Sequence, residues 1–219
     1  MNRWRVLGLF CVMIVLFGCG AVQTVQTIGA VAMNARALTQ GYYGMKMAKA
    51  MKNAEPIFQN YDSLRVEVLL NPREGDAKTL TDAFKDNLQW LIPKDVQVAG
   101  LELEVCGSVT SCKGRTIVVQ FKEEGYGTGI IKSFLIGEKL KGKLYFIDAQ
   151  TSTIIAEKPL EVASNYADLI REIHIYVGTA ALKTLEMQKD AEKVRKAVDE
   201  FNKIDPIKDE YKELFAKAK

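Results

Sequence analysis

The stretch Leu140-Lys-Gly-Lys-Leu-Tyr-Phe-Ile-Asp148-Ala-Gln-Thr-Ser-Thr153-Ile-Ile-Ala-Glu-Lys-Pro-Leu160-Glu-Val162 decides the fold. Leu140, Gly142, Leu144 and Phe146 alternate with Lys141, Lys143 and Tyr145, the period of a half-buried strand. Ile154, Ala156, Lys158, Leu160 and Val162 repeat that period. The polar run Asp148–Thr153 between them has the chemistry of a turn. The two segments therefore predict an antiparallel hairpin.

Upstream, Thr116-Ile-Val-Val-Gln-Phe121 predicts a third strand. Val96, Val98, Leu101, Leu103 and Val105 alternate, with a phase change at Gly100 that suggests a bulge or bend. Joined by Cys106-Gly-Ser-Val-Thr-Ser-Cys112, the segments on either side read as a hairpin with a stapled tip. Thr79 and Asp82 have capping-box spacing. They open a helix with the stripe Leu80, Phe84, Leu88, Leu91, which Pro93 stops. Leu64–Leu70 is a further alternating strand, followed by a turn at Asn71–Asp76.

Downstream, Ser164 or Asn165 caps a helix that runs to about Lys203. Ile170, Ile173, Val177, Ala180, Thr184, Met187, Ala191, Val194, Val198 and Phe201 form a heptad-like stripe. Such a helix is about 57 Å long, whereas strands of ordinary length reach roughly 17–20 Å. The stripe beyond Thr184 needs another partner, and the Ala-rich N-terminal segment or a second molecule can supply it. The intramolecular pairing predicts a membrane-proximal stalk carrying a head. Asp205-Pro206 breaks the helix, and Ile207, Tyr211, Leu214 and Phe215 make a short last one.

The predicted class is α+β. A mainly antiparallel five-stranded sheet is covered by helices in two layers, and an N-terminal helix and a long C-terminal helix form an extension. The expected organisation is a leader over 1–18, an anchored helical segment over 19–56, the α+β domain over 57–185 and a charged extension over 186–219.

Apolar residues are 48% of the 219 and charged residues 26%, as in a foldable globular chain. The formal charge of +3 gives no reason to expect a nucleic-acid partner. With one His, no multi-histidine metal site can form.

The N-terminus carries an address. Arg3 and Arg5 precede an uncharged apolar run of twelve residues, Val6–Phe17. A membrane-spanning helix needs about 20, so the run fits a secretory h-region. Leu16-Phe-Gly-Cys19 then resembles a bacterial lipobox, although Phe17 departs from the small or aliphatic residue usual there. The resemblance implies acylation of Cys19. A plain signal peptide or an uncleaved anchor is the alternative. Gly20, rather than Asp, after the Cys implies the periplasmic face of the outer membrane in a Gram-negative host. In a Gram-positive host it implies the outer face of the plasma membrane. Removing residues 1–18 leaves 28 basic against 27 acidic residues, a nearly neutral chain.

Cys11 leaves with the leader and Cys19 is the lipid site, so Cys106 and Cys112 remain. An oxidising compartment favours a disulfide between them. The alternatives are two free thiols or half a metal site, but the other zinc ligands have no counterpart. From Gly20 to about Asn53, apolar and small residues at spacings of 3 and 4 predict a helix that covers the C-terminal helix; the alternative is a helix lying near the lipid surface or packing on a partner. Met45, Met47 and Met51 then lie in the core.

The stretch from about Arg65 to Leu185 resembles bacterial lipoproteins of the domain of unknown function 4410 family. Thr81-Asp-Ala-Phe-Lys-Asp-Asn-Leu88, the glycine-rich segment through Gly137, Gly142-Lys-Leu-Tyr-Phe-Ile-Asp-Ala-Gln-Thr151 and Ile155-Ala-Glu157 carry the resemblance. It implies an envelope lipoprotein with a small α+β domain and brings no catalytic residue.

Little in the chain points to catalysis. Gly125, Gly127 and Gly129 lack P-loop spacing and its Lys-Ser/Thr. With Phe134 and Gly137 they are expected to form a hinge or an apolar contact loop. His174 reads as a packed helical residue. Glu123 and Glu124 point apart on a strand. Lys139, Lys141 and Lys143 share one strand face, where they deter edge pairing or meet a partner. The sequence thus predicts no enzyme, cofactor, metal site or catalytic residue. It predicts a membrane anchor, an envelope-protein partner and an accessory interaction module. The alternative is a carrier of a lipid or other apolar ligand. A large internal cavity favours the carrier, and an exposed apolar stripe over Met187–Phe201 favours the module.

Overall fold

The computed structural model describes residues 42–71, 77–107, 111–127, 139–162 and 165–218. Cys19, the leader, most of the predicted N-terminal helix, and Gly129, Phe134 and Gly137 lie outside these residues. In chain order the elements are α1 (Tyr42–Asn53), β1 (Ser63–Leu69), α2 (Ala77–Val98), β2 (Glu104–Val105), β3 (Thr116–Gly127), β4 (Lys139–Asp148), β5 (Thr153–Val162), α3 (Tyr166–Glu186), α4 (Ala191–Phe201) and α5 (Lys212–Lys217). A 3-10 turn at Asp209–Tyr211 precedes α5.

The chain is α+β, with a five-stranded sheet in the order β2-β1-β3-β4-β5. The sheet is mixed, which corrects the mainly antiparallel expectation. β1 runs parallel to both β2 and β3, and only the β3–β4 and β4–β5 pairs are antiparallel. The hairpin expected around the cysteines does not form. β1 lies between β2 and β3, so the strands on either side of the two cysteines are not neighbours. Alternation on either side of the cysteines marks extended chain, but period says nothing about which strand is the neighbour.

Two further boundaries move. Pro93 lies inside α2, which begins at Ala77, two residues before Thr79, and continues to Val98. Burial of Leu91, Ile92, Val96 and Ala99 at 0–1% exposure offsets a proline penalty of about 3 kcal/mol. Val96 and Val98 are therefore helical. Gly100 is a helix cap, not a strand bulge. At φ +72° it sits in the left-handed region, its N–H bonds Gln97 O at 2.8 Å, and Leu101 N–H reaches Val96 O at 3.3 Å. Those two bonds make a Schellman motif.

The long C-terminal helix is two helices. α3 starts at the Asn165 cap and ends at Glu186, and α4 starts at the Asp190 cap. Lys189, at φ +59°, reverses the chain. Val194, Ala197, Val198 and Phe201 keep the phase of the stripe, yet they fold back on α2 and α3 and are 0–5% exposed. The expected stalk is corrected to a docked C-terminal unit. Asn87, fully buried on α2, anchors the segment after α4 through Pro206 O and Lys208 N. Phe215 packs edge-on to Phe84.

α1 lies along α3, as expected of a helix covering the C-terminal one, and Met47 and Met51 are core. α2 and α3 pack on the sheet, and α4 packs on α2 and α3. Between helices and sheet, Phe58, Phe84, Phe121, Phe146 and Tyr166 are at most 2% exposed. Among the described residues no helix is long and apolar enough to cross a membrane.

Candidate interaction surface

The sheet face away from the helices is uncovered by any described helix, and strand register arranges it in rows. Arg65, Val118, Ile147 and Ile154 form one row; Glu67, Gln120, Tyr145 and Glu157 the next; Leu69, Lys122, Lys143 and Pro159 the third; Lys141 and Glu161 come last. An apolar row thus precedes an acidic and then a basic one. Ile154 and Leu69 are 52% and 51% exposed. Val118 is buried between its row neighbours. Ile154 on β5 and Leu69 on β1 thus stand on opposite sides of a largely polar face.

Cross-strand polar pairs hold the rows in place. Gln120 Nε2 of β3 donates to Glu67 Oε2 of β1 at 2.7 Å, and within β1 Arg65 Nη2 meets Glu67 Oε1 at 2.5 Å. Lys143 Nζ lies 3.0 Å from Glu157 and 3.4 Å from Glu124, which raise its pKa. Lys139 pairs with Glu161 at 2.6 Å. The three lysines do share a face, but β4 is flanked by β3 and β5, so they are not edge-strand guards. They belong to the open face.

A staple sets one end of this surface. Cys106 and Cys112 are bonded, with Cα atoms 5.2 Å apart. Ser63 Oγ donates to Lys113 O at 2.5 Å, and Arg115 N donates to Asp62 Oδ2 at 2.8 Å. Arg115 grips Asp148 Oδ2 through Nε and Nη2 at 2.9 and 2.7 Å and lies 4.8 Å from the centroid of the Tyr61 ring. Asp148 Oδ1 accepts from Gln150 and Thr151 N–H in the β4–β5 turn. The guanidinium, with these backbone bonds, holds the Asp148 carboxyl at about 2. Its stabilisation is therefore full above the ordinary carboxylate value and lost as pH falls from about 4 towards 2. Asp148→Asn is expected to flatten that acid limb in urea unfolding between pH 2 and 5. Replacing both cysteines by Ser is expected to remove about 2 kcal/mol, the closure entropy of so short a loop. Urea midpoints compare the two proteins.

The remaining candidates separate. Glu123 turns inward, where it accepts from Tyr166 Oη at 3.1 Å and Asn71 N at 2.8 Å. Glu124 turns outward to Lys143, so the adjacent carboxylates do not act as a pair. Gly125 lies at a register shift between β3 and β4, and Gly127 ends β3. His174 is a packed helical residue, as expected, but sequence reasoning does not find its partner, Asp95. Their ring-to-carboxylate contact of 2.8 Å is buried, and Phe201 covers the imidazole. Asp95 has no local signal, because Pro93 reads as the end of its helix. No group of three or more His, Cys, Asp or Glu among the described residues is placed to hold a metal.

No family model matches the chain, and no curated protein matches it. Among solved structures, the PelC dodecamer from Paraburkholderia phytofirmans is 11% identical, with a TM-score of 0.32 over 61% of this chain and 93% of that one. A homolog of neuraminyllactose-binding hemagglutinin from Helicobacter pylori is 11% identical, with a TM-score of 0.30 over 66% and 91%. At these scores the likenesses carry no argument about this chain.

Proposed function

We propose that the chain is a Cys19-anchored envelope lipoprotein of the domain of unknown function 4410 type, and that its α+β head is a non-catalytic accessory module docking another envelope protein. The observation that carries this reading is the open sheet face, whose charged rows and exposed Ile154 and Leu69 have no covering layer among the described residues. The stripe over Met187–Phe201 plays no such part, because most of it is buried in the head. Against the carrier alternative stand the buried aromatic and aliphatic side chains between helices and sheet among the described residues. The larger described clefts, of about 400 and 500 Å³, lie open at the surface. The anchor fits the nearly neutral mature composition, which leaves attachment to the acyl chains and not to charge.

Affinity purification from detergent-solubilised envelopes tests the module. A protein partner is expected with the wild type and is expected to be lost with Tyr145→Glu combined with Lys143→Glu. Recovery of a stoichiometric lipid without any protein favours the carrier. A partner retained by the double variant moves the docking site off the sheet face.

A further inference from the structure

Three helices meet at one buried charged pair. α2 supplies Asp95, which is 1% exposed, and α3 supplies His174, which is 8% exposed. Asp95 Oδ1 meets His174 Nδ1 at 2.8 Å, while Asp95 Oδ2 has no hydrogen-bond partner. α4 closes the site. The ring of Phe201 stacks on the imidazole with centroids 4.2 Å apart and planes 15° apart. Gly178 makes the slot, since a Cβ there would lie 1.8 Å from Phe201 Cε2. α4 reaches this position through the short reversal at Gln188–Asp190.

Several charges of these elements and their flanks are engaged elsewhere. Lys94 of α2 lies over Trp90, and Lys208 binds Asp86. Arg171 of α3 binds Asp168. Glu200 of α4 binds Lys203, and Asp205 beyond it binds Lys212. The imidazole is thus the group that answers the buried carboxyl.

We propose that α4 is a proton-gated latch, docked while the Asp95–His174 pair holds a single proton and released about its Gln188–Asp190 hinge when the pair gains a second proton or loses the first. With one proton the pair is neutral overall and its bridge is hydrogen-bonded. A second proton leaves a buried net cation, and loss of the first leaves a buried net anion, the Asp95 carboxylate beside a neutral imidazole that can still donate from Nδ1. Burial disfavours both. Once α4 lifts, water reaches the pair and solvates its charged forms. At alkaline pH the open state therefore binds fewer protons than the docked one, and rising pH favours opening by up to about tenfold per unit. In acid it binds more, and falling pH favours opening. The upward displacement of the Asp95 carboxyl by burial, opposed by His174, agrees with the alkaline limb. Release uncovers Val194, Val198, Phe201 and the helix faces beneath them, an apolar surface absent from the docked form.

Hydrogen exchange of the full-length chain in detergent, read by mass spectrometry from pH 5 to 9 and corrected for intrinsic rates, tests the latch. Opening over residues 191–201 is expected to rise by up to about tenfold per unit above pH 7, while β3 and β4 stay protected. Asp95→Asn keeps a hydrogen-bonding side chain and removes the titrating carboxyl, so the rise is expected to disappear. Uniform protection of α4 from pH 5 to 9 in the wild type, or the same rise in Asp95→Asn, overturns the proposal. The chain has one His, so an NMR titration of the wild type gives a second measure that does not depend on a variant folding. An imidazole that titrates as in free solution while α4 remains protected also overturns it.

Discussion

Phe201→Ala is expected to destabilise the protein by about 3–5 kcal/mol, the range for a large ring removed from a core. The ring is 2% exposed, stacks on His174 and fills the slot over Gly178. Its loss leaves a void where three helices meet and wets the buried Asp95. Gly178→Ala approaches the same contact from the other side. Its Cβ cannot coexist with the ring, so overpacking of about 1–3 kcal/mol is expected. In the Phe201→Ala background the ring is gone, and the same change should stabilise by up to about 1 kcal/mol, the helix-interior preference for Ala over Gly. The sign of one substitution thus reverses with the residue opposite. Urea unfolding of the four proteins forms the double-mutant cycle. Additive effects contradict the contact.

His174→Leu is expected to cost about 3–5 kcal/mol near neutral pH, because it leaves the Asp95 carboxylate buried without its partner. Adding Asp95→Leu should recover most of the loss, since two apolar residues present no unsatisfied charge. The single variant's deficit is expected to shrink as the solution is acidified. Burial already favours the protonated Asp95, and acid supplies that proton without demanding an imidazole. Unfolding free energies of both variants at pH 5 and pH 8 check the sign. A deficit that grows in acid excludes a buried, unpaired carboxylate as its cause.

Local rules carry much of the architecture. Alternation locates β1, β3, β4 and β5, and Asp148 marks the β4–β5 turn that its bonds to Gln150 and Thr151 close. Asn165 is legible as a cap, and Cys106 and Cys112 are legible as a local staple. Neighbour relations are not legible. Nothing around Cys106 announces that β1 separates β2 from β3, because parallel pairing is decided by the α2 crossover and not by any turn. The break at Lys189 is hidden for a different reason. The apolar stripe keeps its phase across Gln188–Asp190, and the chain reverses at a Lys, not at a Gly. Pro93 misleads in the opposite sense, since burial of Leu91, Ile92 and Val96 outweighs a strong local stop. Pairs far apart in sequence, Arg115 with Asp148 and Asp95 with His174, leave no local trace. The open sheet face emerges only once the strand order fixes which residues share a row.

The proposed function requires an acylated Cys19 that places this head at an envelope surface. Mass spectrometry of the N-terminal peptide, taken from protein extracted from its native membranes, tests that claim most directly. The expected species is a chain beginning at Cys19, carrying a thioether-linked diacylglycerol and an acyl chain on its α-amine, with Met1–Gly18 removed. A chain that retains Met1, or one that begins elsewhere with an unmodified Cys19, contradicts it.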